Sequence, residues 1–268
     1  MGAADPPRGA GGPSRLDRAV ADRGLARSRA AAATLIRSGR VRVGGSVADR
    51  PSMPVTAADA ILVENDPYVS RAAHKLAGAL LELDLDVTDQ RVLDAGASTG
   101  GFSQVLLLAG CREVIAVDVG HGQLAEQIRN DPRVRTYERL NVRDLRLEHV
   151  DQTPVDLVVG DLSFISLTVL LPALASVVDP AGSLLLMVKP QFEVGRERLG
   201  DGGVVRSPAL HAEAVTGVIG AAAALGWRTQ ALVPSRLPGP SGNREFFVLL
   251  ARRAPTAPLD VAASVGPT

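Results

Sequence analysis

The stretch Val92-Leu93-Asp94-Ala95-Gly96-Ala97-Ser98-Thr99-Gly100-Gly101-Phe102 reads as a buried strand, a glycine-rich turn and the first residues of a helix. An aliphatic run such as Val92-Leu93 suits a strand covered on both faces, as in parallel α/β sheets. Glycine lets backbone approach a ligand closely, and a helix start carries N–H groups without intrahelical partners. Two cofactor classes compete for such a turn. A dinucleotide site wants G-x-G-x-x-G around a pyrophosphate. Here the spacing is Gly96-x-x-x-Gly100-Gly101, with Asp94 in front of it. A carboxylate there opposes a pyrophosphate but suits the cationic methionine end of S-adenosylmethionine. Asp118, at the end of the next expected strand, is placed to accept hydrogen bonds from both ribose hydroxyls. The loop thus favours S-adenosylmethionine, held by Asp94, Gly96, Ser98, Thr99, Gly100, Gly101, Phe102 and Asp118. A tight turn without ligand is the plain alternative.

Outward from this loop, strand patterns fall near 91–96, 113–118, 134–138, 156–161, 183–189, 229–234 and 245–251, and helical patterns at 101–109, 122–129, 167–178 and 209–225. Such alternation predicts an α/β fold, a Rossmann-like doubly wound sheet. The last two strands, joined by Pro238-Gly239-Pro240-Ser241-Gly242, are expected to form an antiparallel pair at the sheet edge. With 46% hydrophobic but only 3% aromatic residues, the core must be aliphatic. No apolar run is long enough to cross a membrane, and no secretory leader is recognisable. The single cysteine, Cys111, excludes an internal disulfide, and four scattered histidines show no metal-ligand spacing. A cytoplasmic protein without metal and without stable membrane association is expected.

The net charge of zero conceals an asymmetry. Residues 1–50 carry ten arginines against four aspartates, giving +6, and the remainder balances it at −6. A basic segment ahead of an acidic one points the first part at a polyanion. Residues 1–13, rich in Gly, Pro and Ala, are expected to be a disordered leader. Leu16, Val20, Leu25, Ala32, Leu35 and Ile36 then support two short helices with Gly24 between them and Ser28 as N-cap of the second. Val41-Arg42-Val43-Gly44-Gly45 reads as strand and turn, and Ile61-Leu62-Val63 closes a small α+β unit over 14–64, too small for an enzyme core. A linker at 65–69 leads to the catalytic domain at 70–253, and 254–268 reads as a flexible, non-helical tail.

Of 29 cationic side chains, 27 are arginines; the only lysines are Lys75 and Lys189. Lysine, unlike arginine, can be made to give up its proton near neutral pH. Lys189 ends the strand Leu184-Leu185-Leu186-Met187-Val188 at the carboxyl edge of the sheet, where open α/β folds place their sites. Asp161 ends the preceding strand at the same edge, Lys75 lies on the helix before the first strand, and Glu245 begins the last strand.

Two resemblances emerge from these words. Arg15-Leu16-Asp17, Gly24-Leu25-Ala26-Arg27-Ser28-Arg29 and Ile36-Arg37-Ser38-Gly39-Arg40-Val41-Arg42-Val43-Gly44-Gly45 resemble the RNA-binding domain named for the fourth small-subunit ribosomal protein. That resemblance implies RNA phosphates as partners of Arg15, Arg18, Arg27, Arg29, Arg37, Arg40 and Arg42, which supply affinity but not base specificity. Gly44 departs from the Asn or Asp that many relatives carry there.

Lys75, Asp161, Lys189 and Glu245 resemble, in order and context, the Lys-Asp-Lys-Glu tetrad of FtsJ-like ribose 2′-O-methyltransferases. The whole arrangement, with Asp161-Leu-Ser-Phe-Ile-Ser166, Val188-Lys-Pro-Gln-Phe-Glu-Val-Gly195 and Pro238-Gly-Pro-Ser-Gly-Asn243, is similar to the TlyA family. The resemblance implies 2′-O-methylation of cytidine in ribosomal RNA of one or both ribosomal subunits, at the subunit interface, and with it sensitivity to capreomycin-type antibiotics. It implies Lys189 as the group that takes or orients the hydroxyl proton, held by Asp161 and Glu245 with Lys75 nearby. Asp161 is also expected to face the cofactor, and Asn141 to serve its adenosine side beside Asp118. Members of the family are often named haemolysins. A membrane-active protein is therefore one alternative, though no insertion element stands out; an RNA-binding protein with an inactive catalytic fold is another. The linker Glu64-Asn65-Asp66-Pro67-Tyr68 lacks the tryptophan of some relatives, which bears on subunit choice. Cys111 and Trp227 read as packing residues, Phe246 as sheet core and Phe247 as sheet surface.

Overall fold

The computed structural model describes residues 12–37, 39–64, 66–253 and 259–266. The expected leader falls almost wholly on residues 1–11, outside the described residues. The chain divides into two compact units between Pro67 and Tyr68, within the expected linker.

The first unit runs β1 (Ser14–Arg15), α1 (Leu16–Asp22), α2 (Arg29–Arg37), β2 (Val41–Val43), β3 (Ser46–Ala48), β4 (Pro54–Val55) and β5 (Ile61–Val63). Strands β3, β2 and β5 form an antiparallel sheet in that order, and β1 pairs with β4. Leu16, Val20, Ala32, Ile36, Val41, Ala48 and Val55 make its core. Ser28 accepts a hydrogen bond from the Ala31 N–H at 3.2 Å, the capping role expected of it. Leu25, expected to support one of the two helices, falls instead in the turn between them and is 37% exposed.

The second unit runs α3 (Ala72–Glu82), β6 (Arg91–Ala95), α4 (Gly101–Leu108), β7 (Glu113–Asp118), α5 (Glu126–Arg129), β8 (Val134–Glu138), β9 (Val155–Gly160), α6 (Leu167–Ala175), β10 (Val178–Val188), α7 (Pro190–Glu193), α8 (Pro208–Ala224), β11 (Arg228–Pro234), β12 (Phe246–Ala251) and α9 (Val261–Val265). Its sheet has the order β11-β12-β10-β9-β6-β7-β8. Strands β6 to β10 are mutually parallel, and β12 runs antiparallel to both β10 and β11. The last two strands do pair antiparallel, but β12 lies inside the sheet and only β11 forms the edge.

Alternation along the strands sorts the core into two layers. Leu93, Ile115, Val158, Leu186 and Phe246 pack under α6 and α8, whereas Val92, Val114, Leu157, Met187 and Phe247 pack under α3 and α4. Phe247 is therefore fully buried, not on the sheet surface as expected, because helices cover both faces. The expected helix at 122–129 is reduced to the single turn α5; the preceding residues form a loop in which Gly122 takes φ +65°. Residues 259–266 correct the expectation of a free tail. Asp260 caps α9 by accepting from the Ala263 N–H, and Val265 is buried in the layer that holds Trp227. The apolar anchor is spaced too briefly for helical periodicity to show in the sequence.

Candidate active site

Parallel strands deliver their carboxyl ends to one edge of a sheet, and here that edge collects Gly96, Asp118, Asp161 and Lys189 from β6, β7, β9 and β10. The reversed strand β12 brings its beginning to the same edge: Phe246 stands opposite Val188, so Glu245 arrives beside Lys189 in the chain's layout. Lys75 reaches in from α3, with its Nζ 3.8 Å from Met187 Sδ.

The four residues form two pairs. Lys75 Nζ lies 2.5 Å from Glu245 Oε2, with the two side chains 5% and 1% exposed. The other Glu245 oxygen accepts from Gln191 Nε2 at 3.4 Å. Lys189 Nζ lies 2.6 Å from Asp161 Oδ1, and these side chains keep 9% and 17% exposure. The third contact corrects the expectation that Glu245 would hold Lys189: its ammonium instead donates to Ser163 Oγ at 2.7 Å. Glu245 instead faces Lys75 and Gln191, one on each of its oxygens.

The glycine turn is shaped as a cradle. Gly96 takes φ +83° and Gly100 φ +90°, conformations that disfavour a side chain. A Cβ on Gly100 would lie 2.8 Å from Leu124 Cδ1. Beneath the turn Asp94 is fully buried; Ser103 donates to its Oδ2 at 2.7 Å and its Oδ1 has no partner among the described residues. Burial pushes the Asp94 carboxyl up to about 7, opposed by the Ser103 hydrogen bonds and reinforced by the charges of Asp161 and Asp118. An orphaned, reluctant carboxylate under a glycine cradle fits a cationic ligand group.

Asp118 accepts from the Ser98 N–H at 2.8 Å and the Gly120 N–H at 2.6 Å, one on each oxygen. Both oxygens keep further acceptor capacity toward hydroxyls. Ser98, Asp118, Gly120, Gln123 and Glu138 line a small cavity at the ends of β6, β7 and β8. Thr99 is exposed in the turn, and Gly101 starts α4, where its N–H is free of helical partners.

Two expected cofactor residues are placed otherwise. The Phe102 ring is buried and stacks on Phe247 with centroids 6.0 Å apart, because α4 turns this position onto the sheet. Only its backbone remains at the turn. Asn141 spends its side-chain oxygen on the Arg143 N–H at 3.0 Å, capping the short 3-10 turn Val142–Asp144.

Beside Lys189 lies an aromatic pair that sequence reading left without a role. Phe164 is 91% exposed with φ +66°, and its ring centroid is 5.4 Å from that of Phe192. Lys189 Nζ lies 6.0 Å from the Phe192 centroid. The signal was present in the words Asp161-Leu-Ser-Phe and Lys189-Pro-Gln-Phe: each aromatic comes three residues after a member of the tetrad. Cys111 is buried and its thiol is pushed up to about 11 by burial, which removes it from nucleophilic chemistry.

In the first unit, the arginines divide by partner. Arg15 and Arg29 both bind the buried Asp17, at 3.0 and 3.1 Å, and hold its carboxyl down to about 2. Arg18 pairs with Asp22, Arg40 with Asp66 and Arg42 with Glu64. Arg27 and Arg37 are exposed and, among the described residues, pair with no carboxylate.

Comparison with known proteins agrees with this division. Residues 68–252 match the model of the FtsJ-like methyltransferases and residues 14–61 that of the S4 domain. The 16S/23S rRNA (cytidine-2′-O)-methyltransferase TlyA of Mycobacterium tuberculosis is 50% identical over 240 residues, covering 88% of this chain and 89% of the relative. Hemolysin A of Brachyspira hyodysenteriae is 35% identical over 87% of this chain and 98% of its own length. The solved structure of a hemolysin-named protein from Streptococcus thermophilus superposes with a TM-score of 0.74 at 34% identity, covering 95% of this chain and 94% of that one.

Proposed function

This chain belongs to the FtsJ-like methyltransferase family, with an S4 domain ahead of the catalytic unit, and from that premise we propose that it is an S-adenosylmethionine-dependent methyltransferase acting on the 2′-hydroxyl of cytidine in ribosomal RNA. The observation that carries the reading is the Lys189–Asp161 pair, 2.6 Å apart and partly open to solvent, at the same sheet edge as the glycine cradle.

When bound, S-adenosylmethionine supplies a methyl group already activated on a sulfonium, so the protein's task is to place and deprotonate a weak nucleophile. Asp94 and the Gly96–Gly101 turn would hold the methionine end, and Asp118 the ribose. Lys189, once its ammonium has given up a proton to solvent, then orients the substrate hydroxyl and receives its proton at the neutral Nζ, beside Asp161 Oδ1. The Lys75–Glu245 pair lies deeper and more fully buried, where it sets the floor against Met187. Phe164, exposed beside Lys189, offers a face on which a base swung out of its stack can rest. Arg27 and Arg37, without carboxylate partners among the described residues, are the most available phosphate contacts of the S4 unit.

The competing reading as a membrane-active protein draws on relatives that bear hemolysin names. No helix among the described residues is long and apolar enough to cross a membrane.

The test is transfer of radiolabel from S-adenosylmethionine to separated small and large ribosomal subunits of an unmodified strain, with Lys189→Ala alongside. Label in RNA with the wild type and none with the variant, at equal cofactor binding, is the expected result. Equal label from both proteins would refute the role of Lys189, and failure to bind the cofactor would refute the reading as a whole.

A further inference from the structure

We propose that Ser163 is a positioning residue for Lys189, a role that rests on the methyl-transfer reading: its hydroxyl fixes the direction in which Nζ presents itself to the substrate. Lys189 Nζ has two short polar contacts among the described residues, 2.6 Å to Asp161 Oδ1 and 2.7 Å to Ser163 Oγ. The Asp161 contact is an ion pair outside hydrogen-bond geometry, so it holds Nζ by charge without setting its direction; the hydrogen bond to Ser163 supplies that direction.

The hydroxyl is suited to this place by its chemistry. A serine oxygen accepts a hydrogen bond from an ammonium and donates one to a neutral amine, so it can keep hold of Nζ before and after proton uptake. A carboxylate in its place could only accept. Glu245, the other acid of the tetrad, contacts Lys75 and Gln191 instead.

The surrounding framework holds Ser163 in register with Lys189. Three residues beyond it, Ser166 donates to Glu193 Oε2 at 2.5 Å, and the Leu167 N–H donates to Glu193 Oε1 at 2.8 Å. Glu193 ends α7, the short helix that begins directly after Lys189. The segment after β9 is thus tied to the segment after β10 on the far side of both residues. Phe164, the next residue, bends the chain by adopting φ +66°, a conformation unfavourable for an aromatic residue. Ser163 is exposed, so removing its hydroxyl disturbs no packing.

The experiment compares full-length wild type, Ser163→Ala, Ser163→Thr and Lys189→Ala in methyl transfer to ribosomal subunits from an unmodified strain, together with cofactor affinity and melting temperature. The expected result for Ser163→Ala is a roughly 10-fold to 100-fold fall in kcat, with KM for the subunit, cofactor affinity and melting temperature little changed. Ser163→Thr, which keeps the hydroxyl, is expected to recover most of the rate. Wild-type kcat in Ser163→Ala would overturn the proposal, as would an alanine defect that lies in KM, or a threonine variant as slow as alanine. In each of those cases an active wild type and an inactive Lys189→Ala leave the methyltransferase reading standing. A wild type that labels neither subunit would overturn both.

Discussion

Replacing Lys75 by methionine keeps the apolar stem and removes the ammonium from a carboxylate that is 1% exposed. Glu245 is then left with the 3.4 Å contact to Gln191 alone. Removing one member of a buried ion pair costs about 3–5 kcal/mol. The orphaned carboxylate can escape by taking up a proton, which for an ordinary glutamate at pH 7 costs about 4 kcal/mol. The two routes agree, so the loss should be near 4 kcal/mol at pH 7, or a fall of about 8–16 °C in the melting temperature of a unit this size. Because relief comes through protonation, the deficit should shrink as pH falls toward 5. Glu245→Gln should also destabilise, by stranding the Lys75 charge. The double variant should lose much less than the sum, with a coupling of about 2–3 kcal/mol. Calorimetric or denaturant unfolding of all four proteins at pH 5 and 8 measures these quantities. A Lys75→Met protein melting within about 2 °C of wild type, or a deficit indifferent to pH, would refute the reasoning that this pair is buried and mutually dependent.

Two further outcomes are expected. The Asp94 carboxyl, raised to about 7 by burial, binds its proton in the folded state at pH values where the unfolded chain has lost it. The ligand-free protein should therefore lose stability as pH rises from about 4 through 7, and Asp94→Asn should flatten that trend; pH-dependent melting curves of the two proteins check it. In the S4 unit, replacing both Arg27 and Arg37 by alanine should weaken RNA binding evenly across sequences and reduce the salt slope by about 2; binding titrations across a salt series measure it, and an unchanged slope would assign the phosphate contacts to other arginines.

The glycine turn, the strand order of charges and the rarity of lysine were enough to locate the edge at which these residues gather, because parallel strands send their carboxyl ends the same way. The glycine spacing marked a close backbone turn, and the structure adds that Gly96 and Gly100 take positive φ and that Asp94 is buried. Helical periodicity likewise placed Leu16, Val20, Ala32 and Ile36 in one small core. Phe102 and Asn141 show the limit of such reading. Membership of a motif says which backbone turns a residue shares, but the direction of its side chain depends on the helix face or cap that claims it.

Partner choice was decided only in three dimensions. The sequence singled out Lys75, Asp161, Lys189 and Glu245, yet nothing in their spacing could say that Lys75 takes Glu245 and Lys189 takes Asp161 and Ser163. That division comes from β12 entering the sheet backwards between β10 and β11, which sets Glu245 under α3. The burial of Phe247 and the docking of α9 have the same origin: both depend on which surfaces other elements happen to cover. Sequence by itself determined the types of group, their order and the edge they reach, since those are set by local periodicity and turn chemistry. Tertiary structure decided which group holds which, since contacts between residues as distant as 75 and 245 are settled by the packing of whole elements.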